Sequence, residues 1–490
     1  MLMANDTMEI PPGRRPGRNR ATALLACCAA GLLAGCAVGP NFKRPVVAMP
    51  PAFKENAGWT SAAPGDGSDR GPWWEVLGDP VLNDLETRLG TSNESIIQAA
   101  ANYEEAMEIA RSDRTTFLPF LSASGSANRS RQTDASSPTG QGLTTSNFNA
   151  QLQASWQPDF WGKIRRTVEA DVAGAQASAA DLASARLSSQ GALAQDYVDL
   201  RAADDKIRLL EDAVAAYART VKITQNKYSV GVAARSDVIT AQTQLDSARA
   251  QLINGSVVRA QLEHAIAVLV GTAPSDFSIA RRPELGLTIP EVPAQLASTL
   301  LERRPDIAAA ERQAAQENAR IGIQTAAYFP DFTITGSGGY EGGTLTHLIS
   351  DPFRFWTLGA QATDALLDWG QRHDLVLSAK AAYEASAANY RLTVLTAIEQ
   401  VEDNLAGLRI LKDEATVEDV AVAEAAQAAQ IALNEYDAGT VDFTTVATAQ
   451  VTELSNRETA LTIHQQQLNS SIALIQALGG GWKMSDLPRP

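Results

Sequence analysis

The chain is short of cysteine, and it has no long hydrophobic run after residue 40. Its three cysteines all lie within the first 36 residues, which excludes a disulfide framework and a cysteine-based metal or catalytic site in the body of the chain. No run of roughly 18 uncharged apolar residues follows, so the body contains no helical membrane span. A hydrophobic fraction of 45% over 490 residues nevertheless predicts a large folded assembly.

Histidine is also scarce, and the motifs of common catalytic sites are missing. No HExxH spacing and no GxxxxGK[ST] loop occur, and segment 336–339 lacks the GxSxG arrangement. Hydrolysis needs a nucleophile, a base and an orienting group that converge. The sequence therefore predicts that the protein is not an enzyme and has no metal or organic cofactor, and His373 is interpreted as a surface residue. The four histidines are His264, His347, His373 and His464.

The N-terminus has the pattern of a processing signal. Four arginines within 14–20 precede an apolar segment, 21–35, that is too short to span a membrane. It ends in Leu33-Ala34-Gly35-Cys36, which is similar to a bacterial lipobox. We predict that residues 1–35 are removed and that Cys36 carries a covalent lipid; the alternative is an ordinary signal peptide with a chance cysteine. Removal lowers the net charge from −15 to −17, which argues against a nucleic-acid partner.

The rest of the chain is an internal duplication. The segment that begins at Phe117 matches the one that begins at Tyr328, 211 residues later. Trp161-Gly162 recurs as Trp369-Gly370, and the segment from Asn226 recurs from Asn434, both at an offset of 208. Registers that hold over several separate segments indicate two copies of one structural unit.

Each copy contains two segments in which apolar and polar residues alternate. In the first copy, Phe148, Leu152 and Trp156 alternate with polar residues such as Gln151. About ten alternating residues with aromatic residues near the ends are typical of transmembrane barrel strands. A soluble half-buried sheet has the same alternation, and the signal peptide favours the membrane. Four strands cannot close a barrel in lipid, so the chain must oligomerise, and a dimer or a trimer would give an allowed strand number.

Each copy also contains a very long helical segment. The stretches 162–228 and 370–436 lack proline, and the first could reach ~100 Å as a helix. Helices of this length with mixed polar residues pack sideways on neighbours. A coiled-coil spacer without a lumen is the alternative, and the strands favour a hollow tube. The fold class is therefore mainly α, with a small β part.

The predicted organisation follows from these segments. It comprises a lipid-anchored extension (36–72); a first repeat (73–270) with strands near 118–130 and 146–158 and a tip near 228–236; a linker (271–300); a second repeat (301–478) with strands near 329–340 and 354–365 and a tip near 436–444; and a tail (479–490).

These motifs together resemble the TolC-type outer-membrane efflux proteins, specifically the NodT-like lipoprotein branch. The resemblance covers nearly all of residues 36–482. It is carried by the segment 36–45, by Trp73-Trp74 before Leu77-Gly78-Asp79-Pro80, by Arg303-Arg304-Pro305-Asp306-Ile307, by the two strand starts and two Tyr-x-x-Gly turns, and by Leu478-Gly479-Gly480-Gly481-Trp482.

The resemblance implies a homotrimer in the outer membrane of a Gram-negative bacterium. Its twelve strands would form one β-barrel above a periplasmic α-barrel of the long helices. The trimer would be a passive conduit, closed at rest at its periplasmic end, that exports drugs or other small toxic compounds. Its partners would be a periplasmic adaptor and an inner-membrane transporter of the resistance–nodulation–division class.

The same resemblance assigns roles to the two helical tips. Gly231 and Gly439 are expected to end one helix in positive φ, and Ser236 and Thr444 to cap the next. All four would belong to adaptor-docking tips; purely structural turns are the alternative. The candidate gate residues are Tyr228, Asp237, Tyr436 and Asp442.

Relatives often place acidic residues just past the second tip, where this chain has Thr445 and Thr448. Asp237 and Asp442 are the nearby acids, and stabilisation of a helix start explains them equally well.

Two further functions fit the pattern. A duct for type I protein secretion shares the implied fold, although the lipobox and the ending at Trp482 favour efflux. A structural lipoprotein with a non-conducting stalk is the other alternative. The exported compounds cannot be inferred, because a wide tube need not recognise its cargo.

Overall fold

A computed structural model describes residues 37–50, 53–55, 72–133, 142–282, 285–290 and 303–487. The signal peptide and Cys36 lie outside these ranges, so the lipidation site stays a prediction. None of the helices within them contains a window apolar enough to cross a bilayer.

The described residues are mainly helical, as the sequence predicts. Two helices are much longer than the others, with 67 residues in α3 and 68 in α6. The helices are α1 (Pro80–Ser92), α2 (Glu94–Arg114), α3 (Lys163–Ser229), α4 (Arg235–Leu269), α5 (Pro305–Ala326), α6 (Gln371–Ala438) and α7 (Phe443–Ala477).

The helix that opens the first repeat is broken in two, which the sequence pattern does not predict. Asn93 leaves helical geometry with a ψ of 120° between α1 and α2. Its Oδ1 accepts a hydrogen bond from the N–H of Ile96 at 3.0 Å, and its Nδ2 donates to the carbonyl of Leu269 at 2.8 Å. Asn93 therefore caps α2 and fixes the break beside the end of α4.

Four antiparallel strands form one sheet in the order β1-β2-β3-β4. They are β1 (Phe120–Arg131), β2 (Thr144–Trp156), β3 (Asp331–Gly342) and β4 (Arg354–Thr363). Residues directly opposite each other on neighbouring strands share a face of the sheet. The observed pairing places the predicted apolar positions of all four strands on one face and the predicted polar positions on the other. One face carries the row Ala123, Leu152, Gly338 and Trp356, and the other carries the row Ser122, Gln153, Ser337 and Thr357.

The described residues form two compact units, and neither corresponds to one sequence repeat. The first comprises residues up to 42, 109–171 and 316–383, and it contains the sheet. The second comprises 43–108, 172–315 and the chain from 384, and it contains the main hydrophobic core around Leu193 and Tyr390. Each unit contains segments from both copies of the repeat, because each copy supplies one β-hairpin and one pair of long helices. The predicted repeat and linker boundaries themselves stay a prediction.

Candidate functional site

The first tip is a glycine-terminated turn at the end of α3. Gly231 has a φ of 77°, and its N–H bonds to the carbonyl of Tyr228 at 3.0 Å. The N–H of Val232 reaches back to the carbonyl of Lys227 at 2.9 Å. These two bonds form a Schellman motif, which satisfies the last carbonyls of the helix. The predicted positive φ at Gly231 is therefore present.

The second tip repeats this geometry at the end of α6. Gly439 has a φ of 80°, its N–H bonds to the carbonyl of Tyr436 at 3.1 Å, and the N–H of Thr440 bonds to the carbonyl of Glu435 at 2.9 Å. A Cβ at either glycine would meet no heavy atom within 4 Å. The two turns are therefore equivalent in backbone and open to solvent.

The predicted N-caps at Ser236 and Thr444 are wrong. Helix α4 follows Ala234, whose N–H is bonded by the carboxylate of Asp237 at 3.2 Å. Helix α7 follows Asp442, whose Oδ1 accepts from the N–H of Thr445 at 3.2 Å. Each helix starts earlier than predicted, at a point where an acidic side chain accepts from the backbone. Asp237 accepts from the N–H of the residue before α4, and Asp442 accepts from the N–H of Thr445 in the first turn of α7.

The two aspartates therefore have a local structural role, whatever else they do. The N–H and hydroxyl of Thr445 lower the pKa of Asp442, so it is anionic at neutral pH beside a positive helix end. Thr445 and Thr448, in place of the acids that relatives often have, are both exposed on α7. A gate role for Asp237 and Asp442 stays a prediction.

The two candidate gate tyrosines occupy different environments. Tyr228 is 47% exposed at the end of α3, whereas Tyr436 is only 5% exposed. The ring of Tyr436 packs edge-on against Phe443 at 5.6 Å, and burial raises the pKa of its hydroxyl. Tyr436 contributes to a cluster that joins both helical hairpins near their tips and includes Tyr217, Val221, Leu245, Phe443 and Val446.

Lys227, which the sequence interpretation did not single out, connects the two tips. Its Nζ donates to the carbonyls of Tyr436 and Asp437, the latter at 3.2 Å, and lies 4.3 Å from the ring centroid of Tyr436. A cation at a helix C-terminus is stabilised by the unpaired carbonyls and the helix dipole. The available signal was a lysine one residue before Tyr228, near which the first long helix was predicted to end.

The segment after the predicted lipid site is bound by a buried arginine. The guanidinium of Arg166 donates to the carbonyls of Val38 and Gly39, both at 3.2 Å, and to the side chain of Asn41 at 2.9 Å. A Cβ at Gly39 would lie 2.5 Å from the Cα of Gly322, so only glycine permits this approach. The segment next to Cys36 therefore has a defined binding groove.

A family model described as outer membrane efflux protein matches residues 88–272 and 296–480. The chain belongs to the outer membrane efflux protein family. The two matched stretches are 208 residues apart, which is the offset of the internal duplication. The resemblance inferred from the motifs is thereby confirmed.

Individual members of the outer membrane efflux protein family match over nearly the whole chain. The antibiotic efflux pump outer membrane protein ArpC of Pseudomonas putida is 28% identical over 456 residues, covering 92% of this chain and 94% of ArpC. The outer-membrane channel OprN superposes with a TM-score of 0.85 at 26% identity, covering 91% of this chain and 100% of OprN. The open state of the MtrE outer membrane channel of Neisseria gonorrhoeae superposes with a TM-score of 0.81 at 27% identity, over 92% and 99%.

The predicted fold class is therefore confirmed, and so is the predicted function at its general level. The chain is an outer membrane component of an efflux system. Members of the outer membrane efflux protein family are channel proteins rather than enzymes.

Proposed function

We propose that three copies of the chain form a lipid-anchored, passive exit channel that carries drugs or other small toxic compounds from the periplasm to the outside. The observation that carries this proposal is the four-stranded sheet. It has one continuous apolar face, and Leu152 on that face is 56% exposed. Within the described residues, β1 and β4 each pair on one side only. Open edges and an apolar face are stable in lipid only if further copies complete the barrel.

The second compact unit supplies the surface for the periplasmic partners. Both tips are Schellman turns, and the first exposes Val230 and Val232 on either side of Gly231. These exposed valines give a protein partner an apolar contact at the first tip. We assign the adaptor to the tips that contain Gly231, Ser236, Gly439 and Thr444. The adaptor in turn would join a resistance–nodulation–division transporter in the inner membrane.

The anchor of the channel is assigned to Cys36. Arg166 holds residues 38–41 against the start of α3 and the end of α5, so a lipid on Cys36 would be attached next to the strand ends. A single acyl chain gives only marginal membrane binding, whereas the diacylglyceryl group of a lipobox cysteine has two chains. The lipid would therefore anchor each copy in addition to the barrel strands.

Single-channel recording from purified protein in a planar bilayer tests the channel. A conducting trimer is expected, and a protein that inserts but never conducts would indicate the structural lipoprotein instead. Crosslinking from Ala234→Cys in native membranes, followed by mass spectrometry, identifies the partners. Recovery of an adaptor and a small-molecule pump supports efflux, whereas recovery of a protein-secretion ATPase supports the type I secretion duct.

A further inference from the structure

The seam between β2 and β3 shows how one repeat packs beside the next. The two strands come from different copies of the duplicated unit, and they pair antiparallel with Ala154 opposite Gly336. Just outside the ladder, the ring of Trp161 stacks on Phe329 at 4.7 Å, and its Nε1 donates to the carbonyl of Pro330 at 2.9 Å. The β2–β3 seam is therefore stabilised by the backbone pairing of the two strands in one register and by the contacts of Trp161.

The two hairpins have the same internal register. In the first hairpin Phe120 lies opposite Ser155, and in the second Asp331 lies opposite Thr363. The second pair follows from the first by the offsets of 211 and 208 that the sequence repeat gives for the two strands. The sequence offsets therefore relate individual residue pairs of the two hairpins. The same offsets can be used to predict the pairing at a seam that one chain cannot form by itself.

That seam lies between the two edge strands of neighbouring copies. We propose that β4 of one copy pairs with β1 of the next in the register of the β2–β3 seam, shifted by the repeat offsets. Ala362 would then lie opposite Gly125 of the next copy, and Ala360 opposite Ala127. This inference rests on the proposed oligomeric channel, and it adds the register that joins the copies.

The shifted register keeps each face of the sheet continuous. Phe120 lies opposite Ser155, Ser155 opposite Thr335, and Thr335 opposite Gly359. Gly359 would then lie opposite Asn128 of the next copy, eight residues beyond the starting point. Because this shift along the strand is an even number of residues, apolar side chains stay on the same face across the seam. A barrel can close only if the strands are shifted in one direction from each strand to the next, and this register provides such a shift.

The aromatic contact of the β2–β3 seam also has a counterpart. Trp369 corresponds to Trp161, and Leu118 corresponds to Phe329, at the same two offsets. Trp369 is 90% exposed and Leu118 is 67% exposed. In the proposed seam Trp369 packs on Leu118 of the next copy, and its Nε1 donates to the carbonyl of Pro119.

Trp369 is presented on an ordered loop. The guanidinium of Arg372 donates to Asp368 at 2.6 Å and to Asp364 at 3.0 Å, and these bonds tie the end of β4 to the start of α6. Two differences between the copies are visible here. Trp369 has a φ of 55°, whereas the φ of Trp161 is not positive. Asp368 replaces Phe160, so the edge contact between Phe160 and Phe332 at 5.2 Å has no counterpart.

Disulfide trapping tests the register. The double variant Gly125→Cys with Ala362→Cys is expected to give covalent dimers and trimers on mild oxidation in the outer membrane. A bond within one chain is excluded, because β1 and β4 are three strand spacings apart, or ~14 Å, while a disulfide needs Cα atoms within about 7 Å. Each single-cysteine variant is the control for bonds to Cys36.

Two further double variants test the neighbouring registers. In each, the cysteine on β1 is moved by two residues, so that it stays on the same face of the sheet. Ala362→Cys is combined with Ala123→Cys or with Ala127→Cys, and the side chains are then only diagonal neighbours across the seam. We expect at least five-fold less crosslinked product from either. Equal or greater crosslinking of a shifted pair overturns the proposed register.

The outcomes separate this inference from the proposed function. If a conducting trimer forms and only a shifted pair crosslinks, the register is wrong and the channel stands. If a conducting trimer forms and none of the pairs crosslinks, the copies are not joined through β4 and β1. If the protein is monomeric and does not conduct, both the channel and the seam are refuted.

Discussion

Lys227 near the end of α3 donates from Nζ to the backbone carbonyl of Asp437 near the end of α6, at 3.2 Å. The two residues are 210 positions apart in sequence, and each lies beside its own glycine turn. The bond therefore ties the tip of the first repeat to the tip of the second within one chain.

Removal of this tie should loosen the tips without unfolding the protein. Lys227→Met keeps the aliphatic stem and deletes the charge, at a cost of roughly 0.3–1 kcal/mol. Trimers should form normally, while the resting channel should conduct more often in a planar bilayer. Lys227→Arg should preserve the tie, and Lys222→Met, at an exposed position of the same helix, is the matched control. Identical conductance of all the variants would show that the tie does not restrain the channel.

The glycine turns should matter for export more than for stability. Gly231→Val with Gly439→Val strains two left-handed positions by ~1–2 kcal/mol each, and no neighbouring atom is struck. Trimers should reach the outer membrane at normal abundance, while drug export and the crosslink from Ala234→Cys to the adaptor fall together. Gly231→Asn with Gly439→Asn should retain export, because asparagine tolerates positive φ. Normal export by the valine variant would place adaptor docking elsewhere.

The two faces of the sheet should respond differently to charge. Leu152→Arg on the apolar face should cost ~2–4 kcal/mol near the bilayer midplane and hinder assembly. Gln151→Arg, one residue away on the opposite face, should assemble normally. Heat-resistant trimers on a semi-native gel measure the difference, and equal yields would contradict the assigned lipid face.

The groove for the N-terminal segment should be separable from lipidation. Arg166→Met removes the donors to Val38, Gly39 and Asn41, and each lost charge-assisted bond costs about 1.5–3 kcal/mol. The segment should then be cleaved several-fold faster by a protease, while mass spectrometry still detects lipid on Cys36. Cys36→Ser should have the opposite pattern, with no lipid and the segment still protected. Arg320→Met, at a surface ion pair with Glu317, is the control and should change neither readout.

A buried acid should make stability depend on pH. Burial raises the pKa of Glu86 from its ordinary value of 4.5 to about 9, and neither carboxylate oxygen has a hydrogen-bond partner among the described residues. The folded state therefore keeps the proton that the unfolded state loses above pH 4.5, so this residue destabilises the fold increasingly between pH 4.5 and about 9.

Glu86→Gln removes that titration and should raise the melting temperature at pH 8, with little effect near pH 4. Glu104→Gln, at an exposed position, is the control. A melting temperature at pH 8 that is equal to or below that of the unaltered protein would show that Glu86 is not held neutral.

The parts of the fold that were predictable are those with a strong local signal. Proline-free stretches predict α3 and α6, period-2 alternation predicts the four strands, and Gly231 and Gly439 predict the ends of two helices. These features depend on backbone geometry that nearby residues determine. The sequence offset also predicts that the second tip repeats the first.

The parts that were missed depend on tertiary contacts or on competition between nearby groups. The break at Asn93 is stabilised by the carbonyl of Leu269, which is 176 residues away in sequence. The helix starts were misplaced because Asp237 and Asp442, rather than Ser236 and Thr444, accept from the backbone N–H groups at those starts. Lys227 could not be assigned a partner, because its acceptors lie on the other repeat.

The two tips share a backbone but differ in side chains. The first reads Val230-Gly231-Val232, and the second reads Ala438-Gly439-Thr440. In the proposed trimer these turns would alternate, three of each kind, in a ring with approximate sixfold but true threefold symmetry. An adaptor ring of six identical subunits would have to accept both kinds of turn, whereas a ring of three could select one. The stoichiometry of the proposed pump would therefore depend in part on how strongly a partner discriminates valine from alanine and threonine beside the glycine turn that both repeats share.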